Sequence, residues 1–383
     1  MEPVSAGELN RATLARQLLL EREARTVADA VRQVVALQAQ FPPSPYLALW
    51  NRVADLDPAD VDAAFVERRI VKSNVPRMTL HAVVADEHRA FREATEPSIR
   101  AARLHDERFR ASGMRPEDVD EIVPHLLAFV AEPRTAPECE AWLRARLGDD
   151  VHPGTWWALR QYAPWLRLPT GGPWSFSAGT AYVEPPALPR LDPESASESL
   201  PFLVRRYLHG FGPASVADMA LFAMVQRGRA RRAVDQLGDE LEQLAGPGGE
   251  VLYDLPGAPR PPATTVAPAR LLGMWDNVLL AHVDRSRVIP PEHRKLVIRR
   301  NGDVLPTLLV DGHVAGVWRA VDGWIEAVAF EPISDGSWEE LEGEARALLA
   351  LLADREPHPY ARYHHWWQQL PTGVTRVLAR ATG

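Results

Sequence analysis

The chain has 383 residues, 46% of them hydrophobic and 25% charged, with a net charge of −8. That length suits two or three domains with real cores, and the acidic balance argues against broad phosphate binding unless positive charge is gathered on one face. A single cysteine, Cys139, excludes an internal disulfide and a cysteine-based zinc site, and no apolar run approaches the ~20 residues of a membrane span.

Met1-Glu2-Pro3-Val4 lacks the basic-then-apolar order of a signal peptide, so a cytoplasmic setting is expected. Only Lys72 and Lys295 are lysines among 43 basic residues.

The pattern predicts an α+β chain in four blocks. In the first, residues 5–85, a helix runs over Leu9–Glu23, and Thr26 caps a second through Gln38 with a stripe of Val27, Val31, Val34 and Val35. Helices over Tyr46–Val53 and Pro58–Arg68 follow. Ile70–Ser73 and Met78–Val84 then alternate as strands around Asn74-Val75-Pro76. Helices followed by a hairpin describe a winged helix. Residues 116–183 repeat the order: helices Pro116–Val130, Ala136–Leu147 and one capped by Thr155, then a hairpin of Trp165–Leu168 and Trp174–Phe176. Residues 199–256 repeat it again, with helices at Leu200–His209, after Ser215 and at Arg227–Leu237, then strands Leu241–Leu244 and Val251–Tyr253. Proline-rich joints at Glu184–Pro193 and Pro256–Pro268 separate the blocks. The last block, 269–383, is mixed: strands Leu296–Arg300 and Val304–Val310 around Asn301-Gly302-Asp303, strands Val314–Val321 and Trp324–Phe330, then an acidic helix Trp338–Leu352.

Gln38-Ala39-Gln40-Phe41-Pro42-Pro43 is the most informative stretch. On a continuous helix Gln38 and Gln40 would point about 200° apart. Pro42 disfavours helical geometry at Phe41, and in an extended segment residues i and i+2 return to one side. Two amides, each donor and acceptor without charge, can then hold a water or cradle a polar ligand. They are poor general bases, so their substrate must already be activated. The bland alternative is a polar exit from a helix.

Three winged units, Gln38-Ala39-Gln40, Arg77-Met78-Thr79-Leu80-His81, the run from Trp275-Asp276-Asn277 to Arg287-Val288-Ile289-Pro290, and Arg299-Arg300-Asn301-Gly302-Asp303 together resemble the winged-helix DNA glycosylase family of the AlkZ type. The resemblance covers nearly the whole chain. It implies hydrolysis of the N-glycosidic bond of bulky N7-alkylated purines in double-stranded DNA, including unhooking of interstrand crosslinks. It maps the catalytic motif onto Gln38 and Gln40. A related branch carries Asp at the second position, so Gln40 implies the crosslink-resistance branch. No cofactor, metal or membrane is implied, and a monomer is expected.

The remaining candidates are basic and aromatic. Arg299, Arg300 and Asn301 at the hairpin tip, the run Arg285, Arg287, Arg294 and Lys295, and Arg77 with His81 are expected to contact DNA. Arg227, Arg229, Arg231 and Arg232 read as a solvated face. Trp275, Asp276 and Asn277 are candidate site lining. His364-His365 lack chelating spacing. The competing class is a noncatalytic winged-helix transcription regulator, which would dimerise on a palindromic site; three nonidentical units in one acidic chain suit an enzyme scaffold better.

Overall fold

The computed structural model describes residues 2–353, 355–370 and 373–380; positions 354, 371, 372 and 381–383 of the expected last block lie outside the described residues. The fold is mixed α+β with antiparallel sheets. Among the described residues no helix is long and apolar enough to cross a membrane.

Strand β1 (Glu2–Pro3) precedes α1 (Ala6–Arg16), which Ser5 and Glu8 close with a reciprocal capping box. The predicted helix to Glu23 stops early because Leu18 takes φ 54° and the Leu19 N–H returns to the Leu14 carbonyl, a Schellman closure. Leu18 and Leu19 still reach the core, which is why the apolar period runs on in the sequence. Thr26 caps α2 (Val27–Val34) as expected, but that helix ends four residues before Gln38. Val35 turns it with φ 74°, a costly conformation for a β-branched residue. Gly210 permits the turn: a Cβ there would stand 2.6 Å from Val35 Cγ2. The chain then extends as β2 (Leu37–Gln38).

Helices α3 (Ser44–Trp50) and α4 (Pro58–Val66) and the hairpin β3 (Ile70–Ser73) and β4 (His81–Val84) complete the first block. Residues 86–115, where the sequence pattern predicts no element, hold α5 (His88–Leu104) and α6 (Glu107–Arg110). Helix α5 is obscured in the sequence by its many charges and by Pro97. Its Arg92 and Glu96 are buried and ion-paired, with Tyr162 bonded to both.

The second block carries β5 (Arg134–Thr135) and helices α7 (Pro116–Phe129), α8 (Ala136–Leu147) and α9 (Pro153–Tyr162); His152, not Thr155, caps the last. Strand β6 (Leu166–Leu168) pairs with β7 (Ala181–Val183), not with Trp174–Phe176. Ser175 sits at φ 59°, unsuited to a strand. The third block has the predicted element order, but α10 (Pro193–Phe211) starts seven residues before Leu200 because Asp192 caps it and Pro193 takes its first position; α11 (Val216–Ala223), α12 (Arg227–Leu237), β8 (Glu242–Ala245) and β9 (Val251–Asp254) follow. β1 joins the edge of β8 in parallel.

In the last block β10 (Arg270–Leu272), β11 (Thr307–Val310), β12 (His313–Val321), β13 (Trp324–Ala329) and β14 (Val374–Arg380) form one antiparallel sheet, with α14 (Asp335–Ala353) against it. The predicted strand Leu296–Arg300 is instead the short helix α13 (Arg294–Val297) and a tight turn. Only Ile298 bridges to Val304, because Pro306 offers no N–H to carry the ladder on.

The blocks are not independent. Leu14, Val31 and Phe65 share one core with Leu271, Trp318 and Leu341. Val71 and Val83 share a second with Leu203 and Tyr207 of α10. Helix α5 spans two cores, giving Phe91 to that second one and Ile99 and Leu104 to the core of the second block. The strands of the first two blocks join through one pair, Lys72 opposite Arg167, making a six-stranded sheet.

Candidate active site

β2 pairs antiparallel with β4, setting Gln38 opposite His81, and the Ala39 N–H reaches the Leu80 carbonyl. Gln38 is therefore on extended backbone, where the sequence pattern runs the helix through it; the Val35 turn, seven residues before Pro42, is what ends the helix. Its side chain is buried and its Oε1 accepts the Gln40 N–H at 3.2 Å. The Gln40 side chain is exposed. The first glutamine faces inward and the second faces solvent, so the expectation that both amides return to one side and face one pocket is corrected: the Gln38 Oε1 turns back onto the Gln40 N–H instead.

Beneath Gln38 lies a cavity about one water molecule in size, lined also by Ser44, Arg52, Asp276 and Asn277. Asp276 caps a 3-10 turn through the Val278 N–H and makes two 2.8 Å contacts with Arg52; both side chains are buried. Asn277 Nδ2 donates to the Ala36 carbonyl at 2.8 Å, pinning the Val35 turn, and its buried Oδ1 has no protein partner among the described residues. The expected lining residues Trp275, Asp276 and Asn277 thus converge with Gln38. Ser44 and Arg52 were missed, since nothing marks a serine after two prolines or an arginine at a helix end. Ser44 bonds the buried Tyr360 hydroxyl at 2.9 Å. Gly273 leaves room for that ring, because a Cβ there would stand 2.9 Å from Tyr360 Oη.

His81 is buried against the Thr79 carbonyl, and burial, with Arg77 nearby, pushes its imidazole down to about 3. It is a neutral wall of the site rather than a phosphate ligand. Arg287 is also corrected: its Nη1 reaches Pro213 O at 3.1 Å, Thr13 Oγ1 at 3.2 Å and Phe211 O at 3.4 Å. That guanidinium braces α1 against the third block and is not free for DNA. Asn301 holds its own turn, bonding both the Asp303 carboxylate and N–H.

The other expected DNA ligands form a group. Arg77, Arg285, Arg294, Lys295, Arg299 and Arg300 have no carboxylate partner among the described residues, whereas many other arginines here do. Burial holds Arg77 down to about 10, with Arg285 adding to the effect; burial lowers Arg285 as well, and there Arg294 adds. Arg294, Lys295 and Arg300 are exposed. Arg299 is partly docked, its guanidinium 5.0 Å from the Trp366 ring centre. In the outlying cluster, Arg229 and Arg231 are spent on Ala196 O and the Tyr253 hydroxyl. One other set of ligand atoms converges among the described residues, on Glu292, His293 and Glu331. His293 Nε2 lies 3.6 Å from the Glu331 carboxylate, and its Nδ1 lies on the Val314 carbonyl.

Lys72 lies outside the site. Directly opposed residues share a face of an antiparallel sheet; the pairs place Lys72 with Leu37 and Ala82, on the face opposite Gln38, His81 and Ser73. Its amine stands 4.2 Å from the Phe176 ring centre, and burial, aided by Arg167, lowers it from 10.5 to about 7. Below pH 7 the folded protein carries this buried cation at a cost. As pH rises from about 7 to 10.5 the folded amine is neutral while the unfolded one is still charged, so stability increases across that window. Lys72→Met is expected to stabilise the protein by a few kcal/mol at pH 6, with the gain closing toward pH 10.5. Urea unfolding of both proteins at about pH 6 and about pH 10 checks this; an equal gain at both would refute it.

The sequence profile of the family described as DNA glycosylase AlkZ-like matches residues 31–351. An interstrand DNA cross-link repair glycosylase of Streptomyces sahachiroi is 25% identical over 335 residues, 81% of this chain and 86% of that protein. The solved structure of Streptomyces sahachiroi DNA glycosylase AlkZ is similar with a TM-score of 0.77 at 22% identity, covering 94% of this chain and 99% of the other. At that identity the structural likeness concerns the fold.

Proposed function

The chain belongs to the AlkZ-like family of DNA glycosylases, and from that premise we propose that it hydrolyses the N-glycosidic bond of bulky N7-alkylated purines and unhooks interstrand crosslinks, as three winged-helix units around duplex DNA. The observation that carries this reading is Gln38. Its amide sits at a water-sized cavity beside exposed Gln40, and the carboxylate lining that cavity, Asp276, is committed to Arg52.

That chemistry suits this substrate. An N7-alkylated purine is cationic, so the C1′–N9 bond can break with the base leaving neutral, and no acid need protonate it. Water adds to the oxocarbenium-like sugar and releases a proton. The fixed amide of Gln38, with the solvent-facing amide of Gln40 next to it, serves by orienting the water and by presenting a carbonyl dipole to the developing positive charge.

Among the described residues no amine stands beside Gln38, and the reaction then stops at the abasic site. Lys72 is on the far face of its sheet, Lys295 is exposed, and the Met1 amine lies outside the described residues. Duplex DNA carrying N7-methylguanine is expected to yield abasic sites that break only on added alkali, with no covalent adduct trapped by borohydride. Absence of abasic sites would refute the reading; a trapped adduct would refute its single-step form.

The unpaired cations supply the affinity. Arg294, Lys295 and Arg300, exposed and without carboxylates, are expected to neutralise phosphates. Changing all three to glutamine should lower the slope of log affinity against log salt by about 0.9 for each phosphate no longer neutralised. An unchanged slope would remove this group from the interface.

A further inference from the structure

Beside Gln40 stand three half-exposed aromatic rings from distant parts of the chain. Phe41 follows Gln40 directly, Trp275 also lines the cavity under Gln38, and Tyr363 comes from the 3-10 helix Ala361–Gln369. The centroids of Phe41 and Trp275 are 6.0 Å apart at 31°, and Tyr363 meets each edge-on, at 5.2 and 5.3 Å. The exposed Arg362 guanidinium lies 5.1 Å from the Tyr363 ring centre. Trp275 Nε1 is fastened to the Gly302 carbonyl at 3.0 Å, so the wall is fixed to the basic turn. The Tyr363 hydroxyl makes no hydrogen bond among the described residues, which leaves its ring as the useful part.

Partly exposed aromatics such as Trp142 and Trp157 occur elsewhere, but these three are the ones that meet one another next to the Gln38 cavity and the basic turn. Flat rings kept half in water beside a polar pair and unpaired cations are what a stacking surface for nucleic acid requires. Resting on the glycosylase reading above, we propose that Phe41, Trp275 and Tyr363 form a specificity wall. It stacks the planar aromatic group carried on N7 by a bulky adduct and so favours such lesions over a methyl.

The test compares single-turnover excision from duplexes carrying N7-methylguanine or N7-naphthylmethylguanine, using the full chain. Tyr363→Leu lowers the naphthylmethyl-to-methyl rate ratio about tenfold, the scale of a single base–aromatic stack, and Tyr363→Phe restores it. Phe41→Leu lowers the same ratio, so the result does not hang on the folding of one variant. Ratios unchanged in both leucine variants, or equal losses on both lesions, overturn the wall and leave the glycosylase reading standing. A wild-type protein that excises neither lesion overturns the reading and the wall together.

Discussion

Replacing Gln38 with alanine is expected to slow single-turnover base excision by about 10²–10³, or about 2.7–4 kcal/mol of transition-state stabilisation, while duplex affinity stays near wild type. Gln38 is buried, fixed by the strand pairing with His81, and further held by the Gln40 N–H. Its amide is therefore preorganised before substrate arrives. Gln40→Ala should also slow excision, through loss of the second amide, without disturbing the strand. Rates at the wild-type level in both variants would place the chemistry elsewhere.

Asp276→Ala is expected to destabilise the protein by about 3–5 kcal/mol, because it leaves the Arg52 guanidinium buried and uncompensated. The pair is almost fully enclosed, with side chains 1% and 2% exposed, so solvent cannot substitute for the missing carboxylate. A paired replacement, Arg52→Met with Asp276→Leu, should recover most of that stability, since desolvation of two charges is removed along with their attraction. Excision should not recover, because the cavity floor beneath Gln38 would be apolar. Urea unfolding and excision rates on the same preparations separate the two effects. A single variant as stable as wild type would mean that water reaches Arg52.

The elements that carry their own local signals were legible in the sequence. The Thr26 cap, the hairpin around Asn74-Val75-Pro76 and the strand pair Val314–Val321 and Trp324–Phe330 depend on neighbours in the chain, and the structure has them. Pro42 signalled that the helix must end near the glutamines, but the sequence still left Gln38 on that helix. The rest depends on distant partners. Val35 breaks its helix because Gly210 and Asn277 hold the turn from outside. Trp174–Phe176 loses its strand to Ala181–Val183 through the geometry of Ser175. Helix α5 hid its apolar side behind a buried ion pair that only folding completes. In the site, Trp275, Asp276 and Asn277 were found together, while Arg287 was misassigned because sequence cannot tell an arginine facing solvent from one facing carbonyls. Tyr360 and Tyr363 belong to a stretch dense in aromatic and basic residues, a signal for stacking that could have singled them out.

The core shared between the first block and the last sets the order of events during synthesis. Val31, Leu37 and Phe65 leave the ribosome with their partners Leu271, Trp318 and Leu341 still roughly two hundred to three hundred residues away, which at about 5–20 residues per second is a wait of roughly 10–60 s. Throughout that interval the strand bearing Gln38 has its hairpin but not the Asp276–Asn277 floor. The nascent chain must expose an apolar face that long, so holdase chaperones should engage the N-terminal block and release it only once β11 and β12 have emerged.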